Sequence, residues 1–215
     1  MKTSLAGILN RRRVVGVVSG LLYGLGGNWD HNLSPVLDEW LDTPTLSGSS
    51  QWKSIAAGGK HTIGVKIDGT LWGWGENYGA LGLGVDTTNK QYPTQIGTDS
   101  DWDKAYAGST VGLAIKMDGT LWVWGGSYDG YYLGVGEATD VSTPTIREST
   151  WVHITQCVGN GLGLHSDGTL WGWGDNGDGE LGVGDTDTHV LPVQVGSSTW
   201  ITVDTLFGYS AGIKS

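Results

Sequence analysis

The chain has one cysteine, Cys157, one phenylalanine and five prolines in 215 residues. A single thiol permits no internal disulfide and no cysteine-built zinc cage. Twelve Lys and Arg face 22 Asp and Glu, a formal charge of −10. Such a balance repels bulk nucleic acid and anionic membranes, so no nucleic-acid partner is expected. No apolar run approaches the ~18–20 residues that cross a bilayer, so no membrane span is expected either.

Reactive motifs are equally scarce. His31, His61, His153, His165 and His189 show no H-E-x-x-H or other metal-ligand spacing. The Gly-x-Gly pairs lack the Lys-Ser/Thr that completes a phosphate loop. Asp175-Asn176-Gly177-Asp178-Gly179-Glu180 is acidic, yet it misses the ligand spacing of a calcium loop. No Ser/His/Asp arrangement can be assembled. Cys157 lies in a strand-like stretch and reads as a small buried apolar residue. The expectation is therefore a protein that is not an enzyme, with no catalytic residue, no cofactor and no metal.

Glycine and tryptophan are abundant instead, at 38 and 12 residues. Disordered glycine-rich chains lack aromatics, so this chain should fold, and the surplus glycine suits an all-β protein of short strands and tight turns. The tryptophans repeat. DGTLWGWG at Asp68–Gly75 is followed by DGTLWVWG at Asp118–Gly125 and DGTLWGWG at Asp167–Gly174, at intervals of 50 and 49. Trp52, Trp102, Trp151 and Trp200 keep the same period, and so do Pro44, Pro93, Pro144 and Pro192. A decayed copy, SGLLYGLGGN at Ser19–Asn28, aligns with DGTLWGWGEN at Asp68–Asn77, with Tyr23 for Trp72 and Leu25 for Trp74.

Each unit predicts four short strands. HTIGVKI and TLWGWG flank an Asp-Gly pair that predicts a hairpin with a type I′ turn. A glycine-rich loop comes next, then a short strand after Pro93 and another opening at Trp102. In TLWGWG the indoles share one face and the glycines the other, so that a neighbouring backbone or ring can approach the glycine side. Such a unit cannot bury both faces alone, and stacking on its neighbours completes the core.

This pattern resembles the repeat of the regulator of chromosome condensation family, in which D-G-x-(aromatic)-x-W-G-x-N precedes G-x-L-G, a proline and A-G-x-x-H-(S/T). Here those elements are Asp68-Gly69, Trp74-Gly75-Glu76-Asn77, Ala80-Leu81-Gly82, Pro93 and Ala57-Gly58-Gly59-Lys60-His61-Thr62. The third copy supplies Trp173-Gly174-Asp175-Asn176 and Glu180-Leu181-Gly182. The resemblance covers about residues 14–215. It implies an all-β β-propeller of about four repeat equivalents, either four short blades or an open arc completed by another chain. It implies a structural hydrogen bond for His61. Family members that regulate small GTPases and dock on nucleosomes use basic elements, whereas this chain is acidic and has four arginines. The likeness to the plant ultraviolet-B photoreceptor fails similarly, because Arg11, Arg12 and Arg13 are bunched and only Arg147 lies within the repeats.

Residues 1–13 stand apart as an arm. Leu5, Ile8 and Leu9 fall at helical spacing behind Ser4, and Arg11–Arg13 suit the end of a helix dipole, but two turns need a partner to hold them. Residues 11–27 resemble a signal sequence, yet Ser19–Asn28 belongs to the repeat, which favours a folded segment. Val14–Val18 and Ala211–Lys214 align to the same strand position, so one would be surplus in a ring that closes once. Leu5, Ile8, Leu9, Arg11, Arg12, Arg13, Val14, Val15, Val17 and Val18 are thus the candidate partner-docking residues, and other protein subunits, as a homo-oligomer or among virion proteins, are the expected partners. The short leader followed by repeats resembles virion components of tailed phages, which makes a structural or adhesive virion module the first expectation. The alternatives are an intracellular partner-binding propeller, such as a small-GTPase regulator, and a secreted carbohydrate- or protein-binding module.

Overall fold

A computed structural model describes residues 13–18, 21–27, 40–46, 51–126, 133–134, 136, 141–146, 150–206 and 209–215. Among them there is no helix, and all regular structure is antiparallel sheet. The first sheet contains β1 (Arg13–Val18), β2 (Leu21–Gly27) and β3 (Trp40–Leu46). The second runs in chain order through β4 (Trp52–Ala57), β5 (His61–Lys66), β6 (Leu71–Gly75) and β7 (Lys90–Gln95). The third repeats it with β8 (Trp102–Ala107), β9 (Val111–Lys116), β10 (Leu121–Gly125) and β11 (Val141–Ile146).

The fourth begins with β12 (Trp151–Gln156), β13 (Asn160–His165) and β14 (Thr169–Gly174). The 18-residue β15 (His189–Leu206) then serves two sheets. Its first part pairs with β14, and from Trp200 onward it pairs with β16 (Tyr209–Lys214). That last hairpin repeats β4–β5: Trp200 faces Lys214 as Trp52 faces Lys66. The chain therefore runs from the second strand of one blade to the second strand of the fifth, and β1 and β16 hold equivalent positions. Both are paired within the chain, β1 to β2 and β16 to β15.

The Asp-Gly turns differ from the sequence expectation. Gly69, Gly119 and Gly168 have positive φ, at 82°, 84° and 85°, but the preceding aspartates do not. The Gly69 amide donates to Lys66 O at 3.0 Å and the Lys66 amide to Thr70 O at 2.9 Å, which is a type I turn closed by a left-handed glycine rather than type I′. The aspartate is retained for another reason: Asp68 accepts from the amide of Thr70 at 3.0 Å and from its hydroxyl at 2.6 Å. Asp118 and Asp167 do the same. These bonds, from the hydroxyl first in Asp68 and Asp118 and the amide first in Asp167, hold the carboxyls below their usual range.

The core lies between sheets. Ile63, Leu71, Leu81 and Ile96 of the second sheet meet Trp102, Ala105 and Trp124 of the third. Leu113, Val123 and Leu133 of the third meet Trp151, Ile154 and Trp173 of the fourth. Leu162, Leu170, Leu181 and Val195 of the fourth meet Val203 and Trp200 of the terminal hairpin. The sheets form an open arc: each packs on the next, and β16 at the far end packs substantially on β15 alone.

Candidate interaction site

The joint between sheets is built from one indole and one loop. Asn77 is fully buried, and its Oδ1 accepts from the amide of Leu81 at 3.3 Å while its amide group bonds the carbonyls of Asp86 and Thr88. This rivets the Gly79–Gly82 loop so that Leu81 and Gly82 (φ +65°) face the next sheet. The Trp124 ring lies flat there, 2.9 Å from where a Cβ on Gly82 would stand, and its Nε1 donates to Ala80 O at 2.9 Å. Gly112 of the third sheet flanks the other side of the ring. In the following joint Trp173 likewise lies between Gly134 and Gly161, but its buried Nε1 has no hydrogen-bond partner. Side chains at either glycine position would occupy the indole's place.

A second device recurs on the tryptophans opening each sheet. Lys66 lies over Trp52 and Trp72 at 5.5 and 3.5 Å, and Lys116 over Trp102 and Trp122 at 4.9 and 4.8 Å. His165 takes that place in the fourth sheet, edge-on to Trp151 and stacked on Trp171 at 4.1 and 5.3 Å. Lys214 lies over Trp200 at 5.1 Å. Cation–π attraction thus ties the end of the second strand to its neighbours. Burial disfavours the Lys116 ammonium, but Asp99 and Asp101, at 2.6 and 3.0 Å, together raise its pKa.

Innermost strands are linked sideways by polar bonds. Lys53 pairs with Asp103 at 2.6 Å, Lys104 donates to Val152 O at 2.6 Å, and Thr155 donates to Asp204 Oδ1 at 2.9 Å. His153 Nε2 lies 3.1 Å from Val203 O, and burial lowers its pKa. His61 is enclosed between the second and third sheets, and burial lowers its pKa to about 4 against a weaker opposing bond with the Val111 backbone. Its position carries the structural role implied by the family pattern.

At the fourth sheet the same construction has no indole on it. Asn176 rivets its loop as Asn77 does, accepting from the Leu181 amide at 2.9 Å and donating to Asp185 O at 2.9 Å. Leu181 is buried, but beside Gly182 (φ +68°) a Cβ would meet only Val195, at 3.6 Å. A cleft of about 270 Å³ opens here, walled by Leu181, Gly182, Val195, Trp200, Tyr209 and Ala211, among others. The Glu180 carbonyl, the counterpart of the Ala80 acceptor, takes a bond from Ser210 Oγ at 2.6 Å. Every residue of β16 is exposed, whereas β5, β9 and β13 are buried almost throughout. Tyr209, Ile213 and Ile201 are 78%, 60% and 65% exposed.

The remaining sequence candidates lie elsewhere. Leu5, Ile8, Leu9, Arg11, Arg12 and His31 are outside the described residues. Arg13, Val14, Val15, Val17 and Val18 form β1, at the opposite end of the arc from the cleft. Cys157 is not in a strand core: it follows β12, half-buried, with its amide bonded to Asn160 O at 2.9 Å. The acids of the 175–180 loop cap their own backbone, with Gly177 N donating to Asp175 and Asp178 N to Glu180. Among the described residues no three His, Cys, Asp or Glu converge as a metal site, and no helix is long and apolar enough to cross a membrane. The cleft was invisible to sequence reasoning, because Glu180-Leu181-Gly182 reads like Ala80-Leu81-Gly82.

Stacked antiparallel blades, joined through indoles laid on glycine loops, define a β-propeller arc. Family models for the regulator of chromosome condensation (RCC1) repeat match residues 52–79, and again 68–115 and 167–203, so the chain carries RCC1-type repeats there. Among solved structures it is similar to human WBSCR16, with 22% identity and a TM-score of 0.78 over 90% of this chain and 53% of that one. It is also similar to yeast RCC1 (Prp20) bound to Kap60, with 20% identity and a TM-score of 0.77 over 95% and 52%. Prp20p from Saccharomyces cerevisiae, studied for binding to Gsp1p and histones, gives 19% identity and 0.78 over 95% and 54%. The chain spans about half the length of these relatives. No curated protein sequence matches it significantly.

Proposed function

We propose that this chain is a non-catalytic, intracellular protein-binding propeller segment. The observation behind this reading is the stack of RCC1-type blades, whose fold matches that of Prp20 over 95% of this chain. Kinship of fold with Prp20, which binds Gsp1p, makes a small GTPase the partner class. The acidic balance, with its formal charge of −10, favours a partner presenting basic groups.

Sedimentation of the full chain with Gsp1p, together with release of a fluorescent GDP from that GTPase, tests the reading. Binding and faster GDP release are expected. Absence of a complex would remove the GTPase reading. The virion expectation is carried by the leader sequence, of which residues 1–12 lie outside the described residues, and none of the relatives named above is a virion protein.

A further inference from the structure

The two inner joints share one plan, but one space in it is filled from opposite sides. Between the second and third sheets, a Cβ on Gly58 would collide with His61 Cε1 and with Gly108 O. In the next joint the same place falls at Gly108. A Cβ there would stand 2.7 Å from Val111 Cγ2, 2.7 Å from Gln156 Cγ and 3.1 Å from Cys157 O. The backbone partner recurs, Gly108 O and then Cys157 O, so the two sites correspond. The side chains do not. His61 and Val111 open the second strand of the earlier blade, and Ala107 and Gln156 close the first strand of the later one. One joint thus sets an imidazole against alanine, and the next sets valine against a glutamine stem. All four residues are buried.

We propose that these exchanged pairs are matched keys that set the order in which near-identical blades stack. The His61 ring leaves room for alanine only. Set against the incoming face of the fourth sheet, it would meet the Gln156 stem in a space already full, an overpacked contact. Val111 set against the Ala107 face would leave part of that space empty and lose the contacts that fill it. The indoles do not tell the joints apart, since Trp124 and Trp173 each lie between two glycines. A repeat array needs some such mark. Modules with one common face fit one another in any order, and mismatched volume disfavours the wrong neighbour. The inference concerns the arc itself and holds whether or not a GTPase binds it.

Double-mutant cycles in the full chain, read as urea midpoints at neutral pH, test the pairing. His61→Val and Ala107→Gln are each expected to lower the midpoint, the first by underfilling the joint and the second by crowding the ring. Together they rebuild the valine–glutamine set, and most of the summed loss is expected to return. Additive losses would overturn the proposal. The reciprocal cycle, Val111→His with Gln156→Ala, rebuilds the imidazole–alanine set in the other joint and decides the matter if Ala107→Gln does not fold. Blade order has its own readout. In either paired variant both joints carry one set, so the second sheet's outgoing face also accepts the fourth sheet of another molecule, a route to swapped assemblies. After refolding from urea at increasing protein concentration, sedimentation velocity is expected to show the unaltered chain back at its starting species. The paired variant is expected to yield additional, larger species. Larger species in neither chain, or in both to the same extent, would remove the ordering role whatever the midpoints show.

Discussion

His61 and Tyr209 occupy the same place in the repeat, the first residue of a blade's second strand, and meet opposite fates. His61 is 2% exposed between two sheets, and Tyr209 is 78% exposed at the end of the arc. Nothing local separates them: both strands pair antiparallel to a strand opened by tryptophan, and both end on a lysine over that tryptophan. The difference is the neighbouring blade. Burial in this architecture belongs to the joint between modules rather than to the module, as expected where each unit contacts only its neighbours.

The largest break in that comparison should come from the ring in a filled joint. Trp124→Ala leaves an unfilled site between Gly82 and Gly112 and is expected to cost about 3–5 kcal/mol, the usual range for a buried large aromatic. Ile213→Ala at the open end should stay within about 0.5 kcal/mol. Urea unfolding midpoints of the two variants check this, and comparable losses would contradict the contrast.

Acid should separate the two ends next. His61 is depressed to about 4 from an ordinary 6.5, so the unfolded chain binds the proton first. The stability this neutral imidazole confers is complete above about pH 6.5 and falls away as pH drops toward 4, by roughly 3 kcal/mol at 1.4 per pKa unit. His61→Val, copying Val111 of the third sheet, should flatten the profile over that window, whereas Tyr209→His should leave it unchanged. Thermal midpoints between pH 7 and 4 measure both.

A smaller effect sharpens the same point at the glycines. Gly82→Asn puts a side chain into the Trp124 ring and is expected to cost about 1–3 kcal/mol as overpacking, while Gly182→Asn should be near neutral. Equal costs would mean that the backbone, rather than the ring, selects glycine at both sites.

Much of this was legible in the sequence. The period of the tryptophans gave blade number and register, the alternation in TLWGWG placed indoles and glycines on opposite faces, and the equivalence of Val14–Val18 with Ala211–Lys214 came from alignment alone. The turn type departs from expectation because Asp-Gly suits two hairpin geometries, and the bond from Thr70 to Asp68 chooses between them. Cys157 falls outside the strand because strand propensity in Thr155–Val158 does not show where the strand stops.

The order of strands, the pairing and the choice of packing residues were thus set by sequence, since each depends on side-chain periods and turn chemistry within some fifty residues. The tertiary structure decided everything that depends on whether another blade is present. The blades form an open arc, β16 is bare while β9 is sealed, and the Asn176 loop faces a cleft where the Asn77 loop faces an indole. Those outcomes depend on surfaces brought together across modules, and a repeat that reads the same in every copy has no local signal for which of its faces another blade covers.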